Sequence, residues 1–360
     1  QGNPRSYLSR AANMTKESLI QPYGIAADNN FYMTNHQDLI FVPEVELKDN
    51  QRMAEENPVR VEVERAVAKV VVSGVPEVVP HGDRIDNLKW GLDVTNQYTY
   101  WMRKMTFIAN SGGVPGEMEQ LNSGYREERY AEDPNFTGFS AWNGGNPAGQ
   151  FEYLSGTPEL TKDFDDYDYT LENTMEAVEQ RHDVTTRVVI SGTYTPNGFG
   201  SVATRNSGGI SFYYFKGNAI RVEAMRDMVN DRNLIPQELR DAGLEQAIND
   251  VLAWNPNAFN SPTASFSVGG LNFYYEGVCY YTVLIRHFSN NMVPVLMGYG
   301  RYGVVRNNVY QLSINKIIGP GQPVINPPGT DPDDEDTSWI SADVNIMRWY
   351  IRNQNVEELL

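Results

Sequence analysis

Apolar and polar residues alternate from Val59 onward, with Val59, Val61 and Val63 on one side of the backbone and Arg60, Glu62 and Glu64 on the other. A period of two is the mark of a half-buried β-strand. The phase then changes: Ala66, Val67, Ala68, Val70, Val71 and Val72 form a nearly continuous run around Lys69, ending at Ser73-Gly74. Such a run predicts a strand that enters the core of a sandwich before a turn. Residues 1 to 30 are polar and unperiodic, and Phe31-Tyr32-Met33-Thr34 opens the first predicted strand. Others are predicted at Tyr167 to Leu171, at Thr186 to Tyr194, at Val304 to Ile318, and at Gly277 to Phe288 with Tyr281, Val283 and Ile285 on one face. Residues 80 to 160 hold strand-like patches such as Tyr98-Thr99-Tyr100-Trp101 between loops rich in Gly, Asn and Pro, which belong on the surface.

One segment has helical spacing instead. Between Leu234 and Trp254, the residues Leu244, Ala247, Ile248 and Val251 recur on one face, and Pro236 fits a first helical turn. Gly243 is predicted to divide the segment into two short helices, since glycine inside a helix costs about 1 kcal/mol relative to alanine. Past Ile318 the pattern stops at Gly319-Pro320-Gly321, Pro327-Pro328-Gly329 and the acidic run Asp331 to Asp336. Proline stiffness and charge repulsion predict a solvated linker that holds the next segment away from the body.

That next segment is again a strand. Ile340, Ala342, Val344 and Ile346 alternate with Ser341, Asp343 and Asn345, and the apolar phase then moves to Met347, Trp349 and Ile351. A one-residue phase change predicts a β-bulge there, or two successive strands meeting different faces. About a dozen residues at roughly 3.3 Å each reach some 40 Å, the length of a sandwich edge. A strand this apolar needs a host, and its own domain or a neighbouring chain would serve equally on pattern alone.

Composition narrows the classes. The 360-residue chain exceeds one typical domain, is 41% hydrophobic, and has 21 Tyr to 14 Phe, which suits strands that pair a buried ring with a wet hydroxyl. Its 29 Lys and Arg against 46 Asp and Glu give −17, which argues against nucleic-acid partners. No apolar run approaches the ~20 residues needed to span a bilayer. Cys279 is the only cysteine, so no disulfide framework forms, and its apolar neighbours predict a buried thiol.

Catalytic chemistry finds no signature. Asp163, Asp165, Asp166 and Asp168 lack the glycine and terminal glutamate of a calcium loop, and predict a solvated acidic loop. His36, His81, His182 and His287 are too scattered for a zinc site of local ligands. No nucleophile elbow, phosphate loop or dinucleotide fingerprint occurs, and no catalytic residue, metal or cofactor is assigned. A carbohydrate-binding surface lipoprotein is the alternative reading, because Phe136, Phe139 and Trp142, with Tyr98, Tyr100 and Trp101, present rings able to stack on sugars.

Several phrases resemble the fimbrillin family of Bacteroidales, subunits of type V pili. They are Asn30-Phe31-Tyr32-Met33-Thr34-Asn35, Val63-Glu64-Arg65-Ala66-Val67-Ala68-Lys69-Val70, Tyr169-Thr170-Leu171-Glu172-Asn173-Thr174, Tyr302-Gly303-Val304-Val305-Arg306-Asn307-Asn308-Val309-Tyr310 and Val344-Asn345-Ile346-Met347-Arg348-Trp349. The resemblance implies an all-β protein of transthyretin-like β-sandwich domains, with a short helical insertion and an extended C-terminal donor strand. It implies residues 1–55 as a remnant or reduced N-terminal β-domain, 56–320 as the C-terminal sandwich, 321–337 as linker and 338–360 as the donor extension. Ile340, Ala342, Val344, Ile346, Met347, Trp349 and Ile351 would then fill another subunit's groove, and Arg5 and Arg10 are candidate processing sites. The expected role is a stalk subunit of a cell-surface fimbrium, exported through the outer membrane as a lipoprotein precursor. Its expected partners are further copies, anchor and tip proteins, and host or bacterial surface receptors, in support of adhesion or biofilm formation.

Overall fold

The computed structural model describes residues 14–15, 26–27, 30–35, 42–44, 47–59, 61–100, 133–136, 149–175, 177–200, 208–287, 300–335 and 340–348. Its labelled elements are β1 Met33–Asn35, helix α1 Gln51–Glu56, β2 Val63–Arg65, β3 Ala68–Ser73, β4 Glu77–Val79, β5 Arg84–Asp93, β6 Tyr167–Thr170 and β7 Arg187–Thr195. There follow β8 Phe212–Phe215, β9 Asn218–Arg221, helices α2 Val222–Asn230, α3 Gln237–Asp241 and α4 Leu244–Trp254, then β10 Phe266–Val268, β11 Leu271–Tyr274, β12 Val278–Leu284, β13 Asn308–Ile318 and β14 Ile340–Arg348. The protein is mostly β-sheet with a few short helices, as the pattern predicts.

Two sheets share one core. The first runs β6-β3-β13-β14, with β4 also paired to β13, and the second runs β12-β7-β5. Between them pack Ala68, Val70 and Val72 of β3, Trp90 of β5, Val188 and Ile190 of β7, Tyr281 of β12, and Tyr310, Leu312 and Ile314 of β13. Cys279 is fully buried here, as expected, and burial pushes its thiol up to about 11, which makes it inert.

β3 and β13 pair in parallel, Val309 opposite Lys69 through Ser313 opposite Ser73. Ala68, Val70 and Val72 of β3 face the core, and Lys69 and Val71 are half-buried on the other side. Beyond Ser73 the chain turns at Gly74, where φ is 113° and a Cβ would lie 2.5 Å from the Ile314 carbonyl oxygen. Only glycine fits so close to a backbone in that conformation. The chain then resumes as β4 beside the same partner, with Lys316 opposite Glu77.

A third sheet, β9-β8-β11-β10, packs against the helices as an insertion with its own core, including Tyr213, Phe215, Met225, Leu244, Ile248, Val251 and Phe273. Gly243, at φ 92°, separates α3 from α4 at the predicted position, and the predicted stripe of α4 is buried.

Several boundaries differ from the pattern. The alternation from Val59 forms strand only over Val63–Arg65, where Met33–Asn35 supplies a partner, and Val59 is exposed. The strand expected from Val304 begins at Asn308 because Asn307 sits at φ 61°, which breaks the extended run. The strand expected from Gly277 begins at Val278, since Glu276 and Gly277 are left-handed. β5, one of the longest strands, carries Arg84, Asp86, Asn87 and Lys89 among its apolar residues and gives no clean alternation.

Candidate subunit interface

β14 lies at the edge of the first sheet, antiparallel to β13 of the same chain, with Asn308 opposite Arg348 and Ile317 opposite Ile340. Among the strand's described side chains, Val344 is buried in the sandwich core and Ala342 packs against it. Ile340, Ile346 and Met347 fall within the strand, opposite Ile317, Tyr310 and Val309. Trp349 and Ile351 lie outside the described residues, as do Arg5 and Arg10. The segment therefore has a host in its own chain.

The bulge predicted between Ile346 and Met347 is not there. Pairing is regular across those residues, and the irregularity falls between Ile314 and Lys316 of β13. The extra residue, Asn315, is exposed and shifts the phase, so that Ile314 and Ile317 both reach the core. The shift faces the Gly74 turn, so a kink in β3 and a bulge in β13 accommodate each other.

The proline-rich and acidic stretch does not stand away from the body. Tyr274 Oη donates to the Gly321 carbonyl at 2.5 Å and Tyr281 Oη to that of Gly319 at 2.9 Å. Gln322 exchanges backbone hydrogen bonds with Tyr280, and Ile325 with Gly156. Ile325 covers the outer side of the second sheet, packed with Val189 and Tyr280. Further on, Thr185 Oγ1 donates to Asp333 Oδ2 at 2.6 Å, and Asp334 accepts from Arg301 Nε and Tyr302 Oη, each at 2.7 Å. This makes the stretch a strap rather than a tether: tyrosine hydroxyls donate to its glycine carbonyls, and its own N–H groups at Gln322 and Ile325 bond back to the body. The acidic run meets a basic and hydroxyl-rich surface, which composition alone does not show.

Buried polar groups bind the sandwich to neighbouring loops. Arg306 Nε meets Glu172 Oε2 at 3.0 Å with both side chains buried, and its Nη2 donates to Thr99 Oγ1 and the Tyr100 carbonyl. Asp133 accepts from the side chains of Asn96 and Asn135 and from the backbone of Thr174. Burial pushes Asp133 up to about 7 against those hydrogen bonds, and it pushes Asp333 to about 7 as well. His287 Nδ1 is 2.6 Å from the Tyr310 hydroxyl inside the core, a packing contact. Among the described residues no group of three or more His, Cys, Asp or Glu is arranged to hold a metal, and no helix is long and apolar enough to cross a membrane.

The rings considered for sugar stacking divide. Tyr100 is buried, and Phe136 packs edge-on against Phe151 at 5.6 Å, so both serve packing. Tyr98 is half-buried in a two-residue strand, and Trp101, Phe139 and Trp142 lie outside the described residues. Lys89 and Lys162 pair with Asp163 and Asp168 of the acidic loop.

Residues 272–355 match the family model for the major fimbrial subunit protein type IV, fimbrillin, C-terminal. Over this segment the chain is similar to fimbrillins. The matched segment begins inside β11 and takes in β12, β13, the strap and β14. Solved structures similar to this chain include a fimbrilin (FimA) from Porphyromonas gingivalis, at 16% identity over 81% of this chain and 60% of that one, with a TM-score of 0.35. A candidate cell adhesion protein from Parabacteroides distasonis has 12% identity over 80% and 53%, with a TM-score of 0.31. One from Bacteroides eggerthii has 12% identity over 80% and 57%, with a TM-score of 0.29. The present chain spans less than two thirds of the length of these chains. No curated protein matches it.

Proposed function

We propose that this chain is a structural stalk subunit of a cell-surface fimbria and not an enzyme, and that it polymerises by exchanging β14 between copies. The observation that carries this reading is the position of β14: an edge strand at the chain's C-terminal end, in a fimbrillin segment, whose Val344 completes the core. An edge strand that docks in its own molecule docks equally well in an identical one, and head-to-tail donation, each copy filling the next, needs few new contacts. The body that remains is fastened by the strap, so what passes between subunits is β14 and the residues after it. Each apolar side chain buried by the incoming strand contributes about 1.5 to 3 kcal/mol, and the main-chain ladder adds to it. Departure requires every pair to break, so the polymer is long-lived.

Removal of residues 338–360 tests the proposal. The truncated chain is expected to give no ladder on a gel run without boiling, whereas the full chain does, and a peptide of residues 338–360 added in trans is expected to raise its melting temperature. A ladder that persists after truncation would overturn strand exchange.

A further inference from the structure

A polar recess lies where the insertion joins the sandwich, away from β14 and away from the aromatic rings discussed above. It has a cavity volume of ≈ 210 Å³ and is lined by Arg84, Asp86, Asn87, Thr193, Thr195 and Glu276, with Gly208 and Gly209 closing one side. Its shape is built by unusual backbone. Asn87 at φ 57° and Glu276 at φ 51° are both left-handed without being glycine, and both front this recess. Sparsely populated conformations of this kind cost on the order of 1–3 kcal/mol and cluster at functional sites. Asn87 lies beside the shift in register between β5 and β7, at Ser191 to Thr193. Glu276 is pressed against Gly209, where a Cβ would meet the Glu276 carbonyl oxygen at 1.7 Å.

One donor in the recess lacks a partner. The Nε of Arg84 is buried with no hydrogen-bond partner. Asp86 and Glu276 line the same recess, where Asn87 Nδ2 donates to Thr193 Oγ1 at 3.5 Å. Buried donors without partners are rare in folded proteins and call for one. The mixture of charge sets the class of ligand. Two carboxylates disfavour an anion, and a guanidinium disfavours a divalent cation. A neutral polyol suits both, since each hydroxyl donates to a carboxylate and accepts from Arg84, Asn87 or a threonine. The volume is below the ~300–1,000 Å³ of ordinary small-molecule pockets, which limits the ligand to one small unit.

We propose that this recess binds a single neutral sugar residue, with Arg84, Asp86 and Glu276 as the principal hydrogen-bonding groups. The site is independent of strand exchange. It gives the body of the subunit a glycan contact of its own, repeated along any assembly of copies.

The test is calorimetric titration of the purified full chain with glucose, galactose, mannose and N-acetylglucosamine, followed by the same sugars on multivalent carriers. At least one is expected to bind, and Arg84→Gln and Glu276→Gln are each expected to weaken it by about tenfold or more, as loss of a hydrogen bond to a charged group does. Circular dichroism melts of both variants check the fold, and Trp254→Ala, on an exposed ring outside the recess, is expected to leave binding unchanged. Absence of binding by all four sugars would overturn the proposal. So would binding that both folded variants retain, or titration of the recess by calcium or a free amino acid in place of a sugar.

Discussion

The insertion draws its core from one contiguous stretch between Tyr213 and Phe273, whereas the sandwich gathers Val70, Trp90, Ile190, Tyr281, Leu312 and Val344 from strands scattered along the chain. Contacts of the first kind close short loops and form early. Those of the second kind wait for distant partners: Ser73 and Leu312, joined by a hydrogen bond, are 239 positions apart. The last contributor, Val344, arrives only with the C-terminal strand. A unit whose core stays incomplete until its final segment docks is open to receiving that segment from another molecule, and a self-contained unit is not. This contrast is why the proposed strand exchange is assigned to the sandwich.

Damage to the sandwich should therefore be global, and damage to the insertion local. The largest effect is expected from Glu172→Ala, which leaves Arg306 buried without its carboxylate and costs about 3–5 kcal/mol. Chemical denaturation of the monomer should show it, with both assembly and folding impaired. Phe273→Ala removes a ring centred 4.7 Å from that of Tyr213 and 5.5 Å from that of Phe266, both tilted, and a loss of similar size, about 3–5 kcal/mol, is expected. Here hydrogen exchange should rise in α2 to α4 and β8 to β11, with ladder formation retained. Equal loss of assembly in both variants would break the comparison.

A smaller effect sharpens it. Asp333 fastens the strap, and its carboxyl is raised from 3.8 to about 7, first by burial and then by Asp334 and Asp183. A raised folded-state value means that the native form holds the proton more tightly than the unfolded chain. Its contribution is full below about pH 4 and is lost as pH rises through about 7. Asp333→Asn should remove this slope, so the variant should melt higher than the parent at pH 8 and about equally at pH 4.

Much of this was legible in the residues. The apolar run of β3, the period of β7, the Gly243 break and the buried Cys279 all follow from local rules that need no partner. The register shift at Asn315 was not legible, because it answers the kink at Gly74 on another strand. β5 escaped notice because it combines an edge position with a left-handed Asn87 that interrupts its alternation. The strap was misread because proline and aspartate predict solvation only where nothing complementary faces them, and here Tyr274, Tyr281, Thr185 and Arg301 do. The recess was not legible, because Arg84 and Glu276 are far apart along the chain and only the fold brings them together. The pattern of β14 was clear, but alternation specifies that a strand needs a host and never which molecule provides it.

Paired cysteines at Ser313 and Asp343 distinguish the two hosts directly. These positions face each other across β13 and β14, at a separation that antiparallel neighbours share with disulfides. Ser313→Cys/Asp343→Cys protein should be oxidised under assembly conditions and run on a denaturing, non-reducing gel. Strand exchange predicts a covalent ladder that collapses to monomer on reduction. Full oxidation with only monomer on the gel, from a preparation that still forms fimbriae, would show that β14 never leaves its own chain and would contradict the account.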